Sequence, residues 1–178
     1  MRKTIQILLL VLTVLLFITA FVSCRQNEQH AQAAAAKQLS KSFSCNAKVM
    51  LDGKEYDVAF SKTSPGMCSL SFSKPPELSS LSFNLGQDGL KIKYDSFEAS
   101  IDPSSIPESA VFNAFLGAFN TAAGKSGAHA VLRGRNIIVK GSTGTSGFSL
   151  TLGSDLTPKE LDIPSLNMKV AFSNFKYL

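Results

Sequence analysis

The sequence offers a few residues whose types could do chemistry, and their spacing decides which of them can. Gly124-Lys125-Ser126 has the ending of a phosphate-binding loop. Such a loop needs four residues between its glycines and must open a helix, so that backbone N–H groups cradle the phosphates. Gly117 and Gly124 enclose six residues and close a helical pattern instead, so nucleotide binding is not expected. Ser71 with Lys74 and Ser173 with Lys176 match Ser-x-x-Lys, in which a lysine one helical turn away activates a serine for acyl transfer. Both pairs lie in strand patterns, where residues three apart are expected to face opposite ways. Glu55 and Asp57 share one strand face, as a solvated outer face also does, and no second acidic pair accompanies them. His30 and His129 have no Cys or carboxylate at ligand spacing, so no metal site is expected. No catalytic residue and no cofactor is assigned, and the chain is not read as an enzyme.

Cys24 is a different case. Met1-Arg2-Lys3 precedes an apolar run from Ile5 to Val22, interrupted only by Gln6, Thr13 and Thr19. Positive charge ahead of an apolar stretch marks an export signal. The run ends in Ala20-Phe21-Val22-Ser23-Cys24, which resembles the lipobox of bacterial lipoproteins, with Phe21 in place of the usual Leu. In a lipobox the cysteine is diacylated and becomes the new N-terminus, and two acyl chains at roughly 0.8 kcal/mol per buried CH₂ hold a protein on its membrane. Residues 1–24 are therefore read as a lipoprotein signal peptide and Cys24 as the site of lipidation. The competing readings, a plain secretion signal or an uncleaved anchor, also place the remainder outside the cytoplasm. The expected location is the extracytoplasmic face of a cell membrane, with the membrane reached through the anchor.

Cys45 and Cys68 remain in the oxidising compartment, where a disulfide is the usual expectation. The hairpin register implied by Asp52-Gly53 sets Cys45 opposite Phe60, with a third strand beyond. Two strand spacings, about 9.5 Å, exceed the roughly 7 Å that a bridge can span, so buried free thiols are expected.

Of 178 residues, 44% are hydrophobic and 17% charged, with 13 Phe and no Trp. That composition excludes a disordered chain and a coiled coil. The 18 basic residues include Arg2 and Lys3 of the leader, leaving 16 against 13 acidic, a net +3 that gives no reason to expect nucleic acid. A monomer is expected.

The elements that must position these residues follow from periodicity. Residues 25–42 are polar and Ala-rich and read as a tether, helical near Ala33 to Leu39. From Phe43 the pattern has period two, the mark of strands with one buried face. Asp52-Gly53, Ser64-Pro65-Gly66 and Gly86 to Gly89 separate the first strands, and Pro75-Pro76 interrupts the sheet. The convincing helix starts near Pro107, with Ser104 or Ser105 as cap and Glu108 in its first turn, and stops at Gly124. Its apolar face carries Val111, Phe112, Phe115, Leu116 and Phe119, while Gly117 weakens it by about 1 kcal/mol. Strands resume at Ala128, and an irregular stretch around Pro158 and Pro164 precedes the last one. The expectation for residues 43–178 is a mainly β (α+β) domain. It has nine or ten strands in hairpin order, forming a large curved antiparallel sheet, an open half-barrel with one covering helix after the sixth strand.

Phe60, Phe72, Phe83, Phe97, Phe148 and Phe172 fall at inward strand positions with Ile92, and Phe112, Phe115 and Phe119 on the helix. They would build an ordinary core or line a cavity whose natural occupant is a lipid or acyl chain. Both alternatives fit the pattern.

This pattern resembles the outer-membrane lipoprotein carrier and receptor superfamily, the LolA/LolB-like fold, across roughly Phe43 to Leu178. The stretches that match are the meander from Phe43, Pro75-Pro76 ahead of Leu81-Ser82-Phe83, and the ending Pro158 to Phe175. The resemblance implies an open antiparallel barrel whose concave face holds acyl chains beneath covering helices, with lipid or lipoprotein acyl chains as partners. The family's lid arginine has no counterpart, since no Arg occurs between Phe43 and Pro75. The expected function is a membrane-anchored lipoprotein that binds a hydrophobic ligand. The alternative is a non-enzymatic surface protein-interaction domain with a filled core.

Overall fold

The computed structural model describes residues 27–63, 67–100, 109–124 and 127–178. The leader with Cys24, the turn Ser64-Pro65-Gly66, the expected helix cap at residues 104–108 and Lys125-Ser126 lie outside the described residues.

Alternation of apolar and polar residues produces strands wherever it was expected. Strands β1 (Phe43–Leu51), β2 (Lys54–Thr63) and β3 (Met67–Lys74) are followed by β4 (Leu81–Gly86), β5 (Gly89–Tyr94) and β6 (Phe97–Ser100). Asp52 and Gly53 both take positive φ, 49° and 78°, as the two-residue turn between β1 and β2 requires. Cys45 consequently pairs with Phe60, the expected register. After helix α2 (Ser109–Ala123) come β7 (Ala128–Arg133), β8 (Asn136–Thr143), β9 (Ser146–Leu152), β10 (Pro158–Ile163) and β11 (Met168–Tyr177). Among the described residues the strands number eleven rather than nine or ten. The stretch expected to be irregular contains β10, because Pro158 sits at the strand's first position, where proline is tolerated.

All eleven form one antiparallel sheet in the order β6-β5-β4-β3-β2-β1-β11-β10-β9-β8-β7. The first and last strands pair at its centre, joining a meander β1–β6 to a second meander β7–β11. An odd number of strands, each antiparallel to its neighbour, makes the edges β6 and β7 run in the same direction. No hairpin can join two such edges, so a long crossover must. Residues 101–127 are that crossover, and they carry α2. The sheet is curved and does not close.

Two helices cover the concave face. In α2, Val111, Phe112, Ala114, Phe115, Ala118, Phe119 and Ala122 are buried, a stripe of helical period. Its backbone rests on β8, where Gly117 meets Thr143 so closely that an added Cβ would lie 2.8 Å from Thr143 Cγ2. The glycine expected to loosen the helix thus lets it approach the sheet. Helix α1 occupies residues 27–39, longer than the segment expected to be helical. It docks through Ala31, Ala35 and Leu39, one residue every four, all buried. Gln32 Nε2 donates to the Ala128 carbonyl of β7 at 2.6 Å, and Lys62 Nζ of β2 donates to the Leu39 carbonyl at 3.3 Å. Helix α1 therefore bridges the two meanders at one end of the open sheet.

Candidate functional site

The concave face is aromatic. Inward positions of β1, β2 and β11 bring Phe43, Phe60 and Phe172 beneath Phe115 and Phe119 of α2. Ring centroids are 4.8 Å apart for Phe43 and Phe119, 5.1 Å for Phe60 and Phe115, and 5.6 Å for Phe119 and Phe172. Phe175, absent from the expected set, stacks on Phe43 at 4.7 Å. Three residues after Phe172 it should face outward, but a bulge opposite Cys45, with Asn174 at φ 51°, turns it in. A second group joins Tyr56, Phe72, Phe83 and Phe112, with centroids 5.8 to 6.2 Å apart along the chain of contacts. Each such pair is worth about 0.5–1.5 kcal/mol beyond the burial of its area.

The expected cavity residues divide accordingly. Phe60, Phe115, Phe119 and Phe172 come together, as do Phe72, Phe83 and Phe112. Ile92 is buried across the strand pair from Phe83. Phe148 is buried apart from both groups, its ring lying over Gly141 of β8. Phe97 departs from expectation: it has the inward parity of Ala99 but is 64% exposed. It pairs with Tyr94 at the outer end of the short edge strand β6, where no described residue covers it. Within the two groups the rings pack against one another.

Among the described residues, one charged side chain lies in this interior. Lys62 continues the inward series Tyr56, Val58, Phe60 and is only 9% exposed, between Phe43 on β1 and Cys68 on β3. Burial pushes its ammonium below the ordinary lysine value, partly opposed by Cys68. Sequence reasoning stopped at Phe60; extending the period by one step would have found it. Cys45 and Cys68 are buried free thiols on strands separated by β2. Burial pushes the Cys45 thiol up to about 12 and raises that of Cys68 as well. Tyr177 is likewise shifted upward by burial, and its hydroxyl donates to the Leu156 carbonyl at 2.8 Å.

The remaining polar candidates on the strands lie on the convex face. Glu55 pairs with Lys48 at 3.3 Å and Asp57 with Lys74 at 2.9 Å, so each carboxylate faces a lysine across the strands. The Lys74 hydrogen bond holds the Asp57 carboxyl below its usual range. One expectation is corrected here. Bulges in β3 and β11 insert an extra residue between the paired positions, so Ser71 and Lys74 share a face, as do Ser173 and Lys176. All four are exposed, and Lys74 is taken up by Asp57. His30 and His129 are exposed. Among the described residues no group of His, Cys, Asp and Glu could hold a metal ion.

A surface groove of about 660 Å³ runs between the covering helices, lined by Gln29, Gln32, Ala36, Lys37 and Ser40 of the α1 segment and by Ala123 and Gly124. It borders the helix end whose last carbonyl accepts from Lys62.

No protein-family model matches the chain, and no curated protein matches it. Solved structures do. An uncharacterized conserved protein from Thermus thermophilus is 12% identical, with 86% of this chain and 88% of that one covered at a TM-score of 0.51. A DUF1329 family protein from Desulfovibrio piger, 12% identical, covers 83% and 92% at 0.46. MucB, solved in complex with MucA(peri), is 12% identical and covers 83% and 53% at 0.37. The first of these shows a shared fold.

Proposed function

We propose that this protein is a non-enzymatic, monomeric lipoprotein, anchored through Cys24 on the extracytoplasmic face of a membrane, that takes a hydrophobic ligand onto the concave face of its sheet. On this reading it is a distant relative of the LolA/LolB-like carriers and receptors. One observation carries it. The curved sheet is open, and the aromatic side chains on its concave face are covered by Phe112, Phe115 and Phe119 of α2, which lies on the crossover between the two edges. Displacing α2 would present Phe43, Phe60, Phe72, Phe83 and Phe172 as a continuous apolar trough of the kind an acyl chain fits.

The test uses residues 25–178, made without the leader and purified without detergent, weighed by native mass spectrometry and then extracted for lipid. The expected result is a bound mass of lipid size and uptake of a fluorescent fatty acid. A bare chain that takes up no fatty acid overturns the proposal. The mutual contacts of the rings favour a second reading, a protein-interaction domain with a filled core, and that result would support it.

A further inference from the structure

We infer that Lys62 is the anchor for an anionic head group: its ammonium exchanges the Leu39 carbonyl for the carboxylate or phosphate of a single-chain amphiphile whose tail lies along the aromatic trough. This rests on the ligand-binding reading above and names the class of ligand.

An ammonium has three donor hydrogens and no acceptor. Lys62 uses one on the Leu39 carbonyl, at 3.3 Å. None of the three ion pairs among the described residues involves it, and Cys68 provides its remaining electrostatic interaction. It is the one charged residue buried on the concave face, among the described residues. Burying a charge without a counter-charge is costly, and a methionine of similar length would fill the space without that cost. The end of α1 explains a single bond, since a cation there meets the negative end of the helix dipole. It leaves two donors unmatched.

The surroundings favour an anion. Lys37 lines the groove above this helix end, and Lys41 lies 6.0 Å from the Tyr177 ring centroid. Neither belongs to any of those ion pairs. Inward from Lys62 along β2 come Phe60, Val58 and Tyr56, all buried. A cation at the helix-covered end of an apolar trough matches a molecule with one anionic end and one hydrocarbon tail. A carboxylate and a phosphate monoester share that chemistry.

The full chain, held in neutral phosphatidylcholine nanodiscs, is exposed to photoactivatable palmitate, its methyl ester or the corresponding monoalkyl phosphate. Label is scored on peptides from β1, β2 and α2. In the wild type, palmitate or the phosphate should exceed the ester by about tenfold, the effect of one charge-assisted hydrogen bond. The more strongly labelling anion identifies the head group. Lys62→Met should remove the preference, with a cooperative urea transition showing that the variant is folded, and Lys62→Arg should keep it; a preference that survives Lys62→Met overturns the role of Lys62. Equal labelling of wild type by acids and ester overturns the role of Lys62 and leaves the carrier reading standing. No labelling on those peptides by any of the three overturns both.

Discussion

Lys62 and the two cysteines make predictions that belong to single residues. The Lys62 ammonium has a lowered pKa in the folded state, against an ordinary value of 10.5. Between the folded and unfolded values the unfolded chain binds more protons, so the wild type gains stability as pH rises through that window. Below it the cost of the buried charge is fully present. Lys62→Met should therefore raise the urea midpoint at neutral pH, and the advantage should shrink as pH approaches 10.5. Equal advantage at both pH values would show that burial of the charge is not what the variant relieves. For the cysteines, the expected result is two unlinked thiols in thiol counting under denaturing, non-reducing conditions, with Cys45 resisting alkylation at about pH 8 until the chain unfolds. A peptide pair joined through Cys45 and Cys68 would contradict the register. Much at this scale was legible, because alternation places Phe60, Phe72 and Phe83 inward without further information. Phe175 and the two Ser-x-x-Lys pairs were not, since a bulge shifts parity by one and leaves no mark in the hydrophobic pattern. Phe97 had the right parity, but parity says nothing of how far the cover extends.

At the scale of elements, the two helices carry the predictions. Gly117→Ala should gain about 1 kcal/mol of helix propensity yet lose more, because the new methyl meets Thr143, a branched residue on a strand that cannot swing away. A net destabilisation of about 1–2 kcal/mol in thermal or urea unfolding is expected, and a stabilised variant would place α2 elsewhere. Phe115→Ala should cost about 3–5 kcal/mol, as for a fully buried ring with neighbours on α2, β2 and β11. Fatty-acid uptake should weaken in the same variant, since Phe115 faces the trough, and a small cost would show that the ring is not packed between α2, β2 and β11. Helix α2 was readable from its stripe of phenylalanines. The docking of α1 was harder to see, because it uses alanines and one leucine, so its packing face looks no different from a solvated Ala-rich tether. β10 was obscured by the prolines that flank it.

The whole molecule is two meanders joined by β1 and β11. That seam was not legible, since periodicity identifies strands but not which distant strands pair. The sequence pattern implied hairpin order throughout, and hairpin order holds within each meander. Deleting residues 168–178 should therefore do more than remove a last strand. It takes from β1 its partner at the centre of the sheet and separates β10 from the first meander. Loss of the cooperative unfolding transition is expected, whereas deleting the edge strand β6 would weaken a periphery. A truncated chain that still melts cooperatively near the wild-type temperature would show that the meanders are independent.

The seam also sets the order of events in time. Synthesis releases β1 first and β11 last, so the central pair of the sheet is the pair separated by most of the chain. Contacts of such high sequence separation must wait for loop closure and are associated with folding in milliseconds to seconds. Until β11 emerges, the first meander exists with the long edge of β1 unpaired, the state most prone to join another chain. The half-made protein is thus the species a chaperone would have to recognise.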